Sequence, residues 1–218
     1  MYFLLKIYMI QNKSNRKEDV KISNLVSSYL DKHFFKIETS NFERVTDKER
    51  QLQGIDVIFD LNGQHYVCDE KSATDYINKN LPSFIVEIEH MGGANFDLIR
   101  EGWFVSKNCV NNTYLFIWVN KADSDKPTHI DEIHEVEIAL VQKDKIQKYL
   151  EARGWPEDRL KENAVKIRNK NPDAIIGNLY KDGYQFTRSN QKTELSINVR
   201  IPRWELRKMS DYNVILVT

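Results

Sequence analysis

The chain has 218 residues, enough to bury a substantial apolar core in one large domain or in a core with an appended subdomain. Its 32 basic and 32 acidic residues give a formal net charge of zero. A protein that binds nucleic acid over most of its surface is usually basic, so any such contact here must use a local patch. The cysteines, Cys68 and Cys109, lie far apart in apolar segments. We therefore expect buried free thiols in a reducing cytoplasm, and neither a disulfide framework nor a zinc set.

The first 15 residues are predicted to be an N-terminal leader or strand. The apolar run from Met1 to Ile10 is too short to cross a bilayer and lacks the small-residue cleavage site of a signal peptide. We therefore expect no membrane partner and a cytoplasmic protein. Apolar residues then recur at helical spacing over residues 16–35, which predicts an amphipathic helix. Residues 36–45 are predicted to form the first strand.

A β-hairpin is predicted within residues 53–73. Two runs of alternating β-branched and aromatic residues flank Asn62 and Gly63, a pair that favours a two-residue turn with positive φ angles. Counting outward from this turn gives the register, which pairs Leu61 with Gln64, Phe59 with Tyr66, and Val57 with Cys68. One step further, the same register pairs two aspartates.

These aspartates, Asp56 and Asp69, should lie directly opposite each other. Opposed side chains on one face have Cβ atoms about 5 Å apart, and like charges there are destabilising unless a cation compensates them. Because side chains alternate along a strand, Lys71 shares the face of Asp69, whereas Glu70 points to the other side. Two hard oxygen ligands suit Mg²⁺, with Mn²⁺ as a substitute, and a lysine beside them can balance charge on a phosphate.

This arrangement resembles the PD-(D/E)xK superfamily, the restriction-endonuclease-like phosphodiesterases. Asp56 matches the first acid of the motif, Asp69 the second acid and Lys71 the lysine, whereas Ile55 stands where the motif has proline. The resemblance rests on the hairpin alone and speaks for the core of the fold. It implies an α/β protein with an α+β sheet core, in which a restriction-endonuclease-like mixed sheet is flanked by helices.

The resemblance also implies an activity, a cofactor and a partner. Asp56, Asp69 and the backbone carbonyl of Glu70 would hold Mg²⁺, and Lys71 would sit beside the attacking water. The expected reaction is hydrolysis of phosphodiester bonds, with DNA as the expected substrate. Many nucleases of this class cut two strands as dimers, so a homodimer is a further expectation.

A fourth acidic candidate lies in the strand predicted from Ser83 to His90. Alternation places Phe84, Val86 and Ile88 on one face, and Ile85, Glu87 and Glu89 on the other. A carboxylate within an otherwise apolar strand is costly to bury unpaired. Glu87 is therefore a candidate catalytic residue, and a strand-edge or salt-bridged position for it stays open.

The remaining elements follow in chain order. Further strands are predicted at Trp103 to Val105, Tyr114 to Val119, Val136 to Val141, Glu194 to Ile201 and Val214 to Val217. Helices are predicted at residues 143–154, after Pro156 and around Trp204. The second of these strands is apolar throughout, which is typical of a strand buried on both faces at the sheet centre. Polar residues with Pro127 mark a boundary between a nuclease-like core at 16–122 and a C-terminal α/β extension at 129–218.

Two alternatives to a nuclease stay open. A non-catalytic nucleic-acid- or protein-binding module could keep the same fold, or the three charged residues could be a surface salt-bridge cluster that contributes little stability. The two helices joined near Gly154 are compatible with a DNA-binding helix-turn-helix or with an αα-hairpin that caps the sheet. Motifs for nucleotide phosphates, dinucleotides, zinc proteolysis and serine hydrolysis are absent from the sequence.

Overall fold

The computed structural model describes residues 19–92, 98–189 and 195–218. The predicted leader or strand at 1–15 and the first residues of the helix predicted at 16–35 lie outside the described residues. The described chain forms two β-sheets with helices around them, a mixed α/β architecture. No helix in these ranges combines the length and the apolar composition that crossing a membrane would require.

The elements are numbered in chain order. The strands are β1 (Ser40–Arg44), β2 (Val57–Leu61), β3 (Gln64–Ser72), β4 (Ser83–Gly92), β5 (Leu98–Glu101), β6 (Thr113–Ala122), β7 (Ile133–Gln142), β8 (Gln185–Arg188), β9 (Leu195–Pro202) and β10 (Tyr212–Val217). The helices are α1 (residues 19–38, with a π-helical turn at Asp31–Phe35), α2 (Lys48–Leu52), α3 (Lys143–Glu151), α4 (Glu157–Arg168) and α5 (Arg203–Met209).

The larger sheet has the strand order β1-β2-β3-β6-β7-β10. Strands β1, β2 and β3 form an antiparallel meander, and β6 runs parallel to β3. β6 is buried from Thr113 to Val119 because it lies inside the sheet and is covered on both faces, as its continuous apolar sequence predicts. The predicted boundary at 122–128 falls between β6 and β7, which are neighbours in this sheet.

The smaller sheet has the order β5-β4-β9-β8 and packs on one face of the larger sheet. The ring centroids of Phe84 on β4 and Phe116 on β6 lie 4.9 Å apart. Helices α3, α4 and α5 bury Ile146, Leu160 and Leu206 in the same core. Helices α3 and α4 therefore both cover this core. The opposite face of the larger sheet is covered by α1.

The structure corrects one predicted boundary and one predicted strand. Helix α1 continues through residue 38 because Phe34 and Phe35 are buried on its inner side, so β1 begins at Ser40 and not at residue 36. The strand predicted at Trp103 to Val105 is wrong, because these residues form a turn between β5 and β6.

Gly102 explains why the chain turns there. Its N–H donates to the carbonyl oxygen of Ile88 at 2.8 Å, and a Cβ at this position would lie 2.3 Å from the Glu87 carbonyl oxygen. Only glycine allows so close an approach of two backbones. The apolar residues that follow, Trp103 and Phe104, therefore enter the core from a turn that is fastened to β4.

Candidate functional site

The β2–β3 hairpin positions the first site residues. Asn62 and Gly63 have φ angles of 53° and 79°, as a two-residue turn with two left-handed residues requires. The pairing of Val57 with Cys68 and of each residue pair up to the turn has the predicted register. The N–H of Asp56 donates to the Cys68 carbonyl oxygen at 2.9 Å, which is one residue out of this register. The paired strand begins at Val57, so the predicted direct pairing of Asp56 with Asp69 is not part of the ladder.

The structure brings Asp56, Asp69 and Lys71 together on one face of the larger sheet. The carboxyl groups of Asp56 and Asp69 are within hydrogen-bonding reach of each other, and Lys71 Nζ lies 2.8 Å from Asp69 Oδ2. Asp56 Oδ2 also accepts a hydrogen bond from the Glu70 backbone N–H at 2.9 Å. Because Asp69 is 4% exposed, this is not a surface salt-bridge cluster.

The surroundings of Asp56 raise its pKa. Burial, followed by the negative charge of Asp69, raises the pKa of Asp56 to about 6. The hydrogen bond from the Glu70 N–H and the charge of Lys71 act in the opposite direction and do not cancel these effects. A carboxyl group with a pKa near neutrality can take up or release a proton at physiological pH, a property that clusters at functional sites.

Aromatic and cationic groups surround the pair. Lys71 Nζ lies 4.6 Å from the centroid of the Trp103 ring, so its ammonium is held between a carboxylate and an aromatic face. Lys143, at the start of α3, is near enough to Asp69 and Cys109 for their charges to act on it. Burial is the main cause that lowers the pKa of Lys143. A second ammonium group therefore lies within electrostatic range of Asp69.

Asn111 supplies a third oxygen. Its side chain is buried, its Nδ2 donates to the Thr113 carbonyl at 3.1 Å, and its Oδ1 has no hydrogen-bond partner within the described ranges. Gly54 lies against it: a Cβ there would be 2.8 Å from Asn111 Oδ1 and 3.5 Å from Asp69 Oδ2. An unsatisfied amide oxygen is thus buried beside the acidic pair, where a cation would satisfy it.

The Glu70 side chain lies on the opposite face, as predicted. Its carboxylate is 2.8 Å from Arg44 Nη1 and accepts a hydrogen bond from the Ser27 hydroxyl at 2.8 Å. Arg44 also pairs with Asp31, so this acid of α1 lies away from Asp56 and Asp69. The Glu70 side chain is therefore occupied by a structural ion pair. Its backbone carbonyl as a metal ligand stays a prediction.

Glu87 lies on β4 of the smaller sheet, with its Oε2 3.9 Å from Nδ1 of His90. The prediction that Glu87 and Glu89 share a face is wrong. A bulge shifts the register with β9 between these two residues, so Glu87 opposes Asn198 and Glu89 turns towards α4. There, Glu89 accepts a hydrogen bond from Arg168 at 2.6 Å. The predicted catalytic role of Glu87 stays a prediction.

The oxygen donors of the site suit a hard cation that needs only a few protein ligands. Across the part of the chain that the structure describes, no three His, Cys, Asp or Glu side chains form a group that could hold a metal. Asp56, Asp69 and Glu87 are therefore not one metal-binding group. Two carboxylates and the amide oxygen of Asn111 remain, and Mg²⁺ is commonly bound by one or two carboxylates while it keeps several waters.

Three residues of the site escaped the sequence reasoning: Trp103, Asn111 and Lys143. Trp103 was assigned to a strand, and no role in the site was expected for Asn111 or Lys143. No signal in the sequence pointed to Asn111, because its position near Asp69 follows from the pairing of Cys68 with Thr113 in the parallel β3–β6 ladder. Comparison with protein-family models, with curated protein sequences and with solved structures gave no match.

Proposed function

We propose that this protein is a metal-dependent nuclease that hydrolyses phosphodiester bonds in DNA at the site formed by Asp56, Asp69 and Lys71. The restriction-endonuclease-like form of the fold, action in the cytoplasm and a homodimer belong to the same proposal. The observation that supports it is the pair formed by the half-buried Asp56 and the buried Asp69, with the Lys71 ammonium 2.8 Å from the Asp69 carboxylate. A single ammonium does not offset both carboxylates, and a divalent cation bound between them would do so.

Asp56, Asp69 and Asn111 Oδ1 would hold Mg²⁺ or Mn²⁺, with the Glu70 carbonyl as a predicted further ligand. When bound, the ion supplies a more acidic water and offsets negative charge on the phosphate. Amide and carboxylate oxygens are the ligands that such hard cations prefer. The unpaired Asn111 Oδ1 and the raised pKa of Asp56 are the two features that a cation would relieve.

The protein's own groups have separate tasks. Hydrolysis forms a bond from phosphorus to the water oxygen and breaks the bond to the leaving oxygen, while one proton leaves the water and one reaches the leaving group. Asp56 and Asp69 would hold the ion, which would make the water acidic enough to release its proton to solvent at neutral pH. Lys71 can donate to a phosphate oxygen, and Trp103 fixes the direction of its ammonium.

Cleavage of labelled DNA with Mg²⁺ and with Mn²⁺ tests the proposal. We expect Asp69→Asn to reduce the rate by more than about 100-fold, because losing even an outer-shell partner of a metal ligand typically costs 10- to 100-fold. Asp60→Asn is the matched control: Asp60 lies on the same hairpin but pairs with Asn41 and His65 outside the site. Cleavage by the Asp69→Asn protein at the wild-type rate would refute the proposal.

Metal titration separates a nuclease from a binding module. Calorimetry with Mg²⁺ and Mn²⁺ should show heat of binding for the wild-type protein and for Asp60→Asn, and none for Asp69→Asn. A module that keeps the fold without catalysis has no use for a cation between Asp56 and Asp69. DNA binding without any metal binding would therefore favour that alternative.

A further inference from the structure

A groove with a volume of about 800 Å³ lies between residues 72–82 and the smaller sheet. Its floor is formed by side chains of β4, β8 and β9, including Glu87, Arg188 and Asn198, and its wall includes Tyr76 and Lys79. We call it the β4–β9 groove. Its volume falls within the range of small-molecule binding sites.

The β4–β9 groove begins beside the candidate active site. Ser72 and Ala73, which line it, follow Lys71 directly along β3. The turn that carries Trp103, the aromatic partner of Lys71, is hydrogen-bonded to β4: the Phe104 N–H donates to the Glu87 carbonyl oxygen at 3.1 Å. The lining of the groove therefore starts one residue after Lys71 along β3.

Asn198 points to a ligand with hydrogen-bond donors. Its side chain is 3% exposed and lines the groove, and its Nδ2 donates to the Ser196 hydroxyl at 2.9 Å. Its Oδ1 is buried and has no hydrogen-bond partner among the described residues. A buried acceptor left without a partner costs free energy, so an arriving N–H group would be bound there.

The other lining groups match a nucleotide. Lys79, Arg188 and Arg200 are cations suited to phosphate oxygens. The Tyr76 side chain is 49% exposed and offers a flat face at the rim. Nucleobases present N–H groups at their edges and stack on aromatic side chains, and their backbone is anionic. All three properties have a counterpart in the groove.

We propose that the β4–β9 groove binds an unpaired nucleotide of the DNA strand whose neighbouring phosphate lies at Asp56, Asp69 and Lys71. In a duplex the base edge is occupied by its partner, so only an unpaired base can bring its N–H groups to the buried Asn198 Oδ1. The substrate would then be single-stranded DNA, or a duplex end or junction with unpaired bases. This inference rests on the proposed nuclease function and specifies its substrate.

Binding without metal tests the inference apart from catalysis. Fluorescence anisotropy with single-stranded and duplex DNA of the same sequence, in EDTA, would compare wild type with Tyr76→Ala and Asn198→Leu. We expect the wild type to prefer the single strand. Tyr76→Ala should weaken single-strand binding by roughly 5- to 150-fold, the range of one base–aromatic stack, and leave duplex binding unchanged.

Tyr180→Ala is the matched control, because Tyr180 is 70% exposed and does not line the groove. Equal or tighter binding of the duplex by the wild type would overturn the inference, as would wild-type single-strand affinity in both groove variants. Those results, together with loss of cleavage in Asp69→Asn, would support the proposed nuclease function and reject single-stranded DNA as its substrate. Weakened single-strand binding in Tyr76→Ala with full cleavage by Asp69→Asn would support the groove and refute the nuclease.

Discussion

Asp56→Asn should stabilise the metal-free protein at neutral pH. The substituting amide keeps an oxygen to accept from the Glu70 N–H, which Asp56 Oδ2 now does at 2.9 Å. The substitution also replaces one carboxylate oxygen of residue 56, next to the carboxylate of Asp69, with an N–H donor. A like-charge contact therefore becomes a hydrogen bond, and a buried charge is removed.

The pKa of Asp56 sets the magnitude. Its rise from 3.8 to about 6 means that the folded state holds this proton more tightly than the unfolded state does. The stability that protonation contributes is fully present below pH 3.8 and is lost as the pH rises through 6. At 1.36 kcal/mol per pKa unit the full loss is roughly 3 kcal/mol, an upper limit for the gain from Asp56→Asn above pH 7.

Urea denaturation in EDTA over a pH series measures this effect. The free energy of unfolding of Asp56→Asn should exceed that of the wild type at pH 7.5, and the difference should shrink towards pH 4. Asp60→Asn is the control, because hydrogen bonds from Asn41 and His65 lower the pKa of Asp60. That variant should gain no stability at pH 7.5. The reasoning would be refuted if Asp56→Asn were less stable than the wild type at pH 7.5. It would also be refuted if the difference in free energy of unfolding were the same at every pH.

Further predictions concern the metal and the two ion-pair clusters. Mg²⁺ should raise the thermal midpoint of the wild type but not of Asp69→Asn in a melting assay, because a ligand that binds only the folded state stabilises it. Glu70→Gln should cleave DNA at the wild-type rate yet lose about 2 kcal/mol in urea denaturation, since its side chain serves Arg44 and not the site. Glu137→Ala should lose about 3–5 kcal/mol in the same assay, because it leaves Arg203 buried without its partner.

The acidic pair was predictable because a local rule fixes it. A two-residue turn at Asn62 and Gly63 determines every pairing of the hairpin, and strand alternation then sorts the side chains between two faces. This placed Lys71 beside Asp69 and Glu70 on the other side, as the structure has them. No contact between distant parts of the chain was needed for that inference.

Features that depend on contacts between segments far apart in the sequence were not predictable. The bulge on β4 separates Glu87 from Glu89 because the turn at Gly102 is hydrogen-bonded to this strand, and alternation alone cannot show it. Asn111 and Asp69 both lie against Gly54 because β6 runs parallel to β3 and pairs Thr113 with Cys68. The division at 122–128 was drawn from composition, whereas strands from both sides of it build each sheet.

The fully buried Glu137 and the half-buried Asp56 show how a structural carboxylate differs from a candidate functional one. Glu137 is fully buried and is held by Arg203 and Arg207, and its hydrogen bonds to these residues lower its pKa despite burial. Asp56 meets a second carboxylate instead, and its pKa is raised. The fold could neutralise a buried acid with arginine, and does so at Glu137. Among the described residues Asp56 has no arginine partner and lies near the unsatisfied Asn111 Oδ1, and the proposed cation would account for both features.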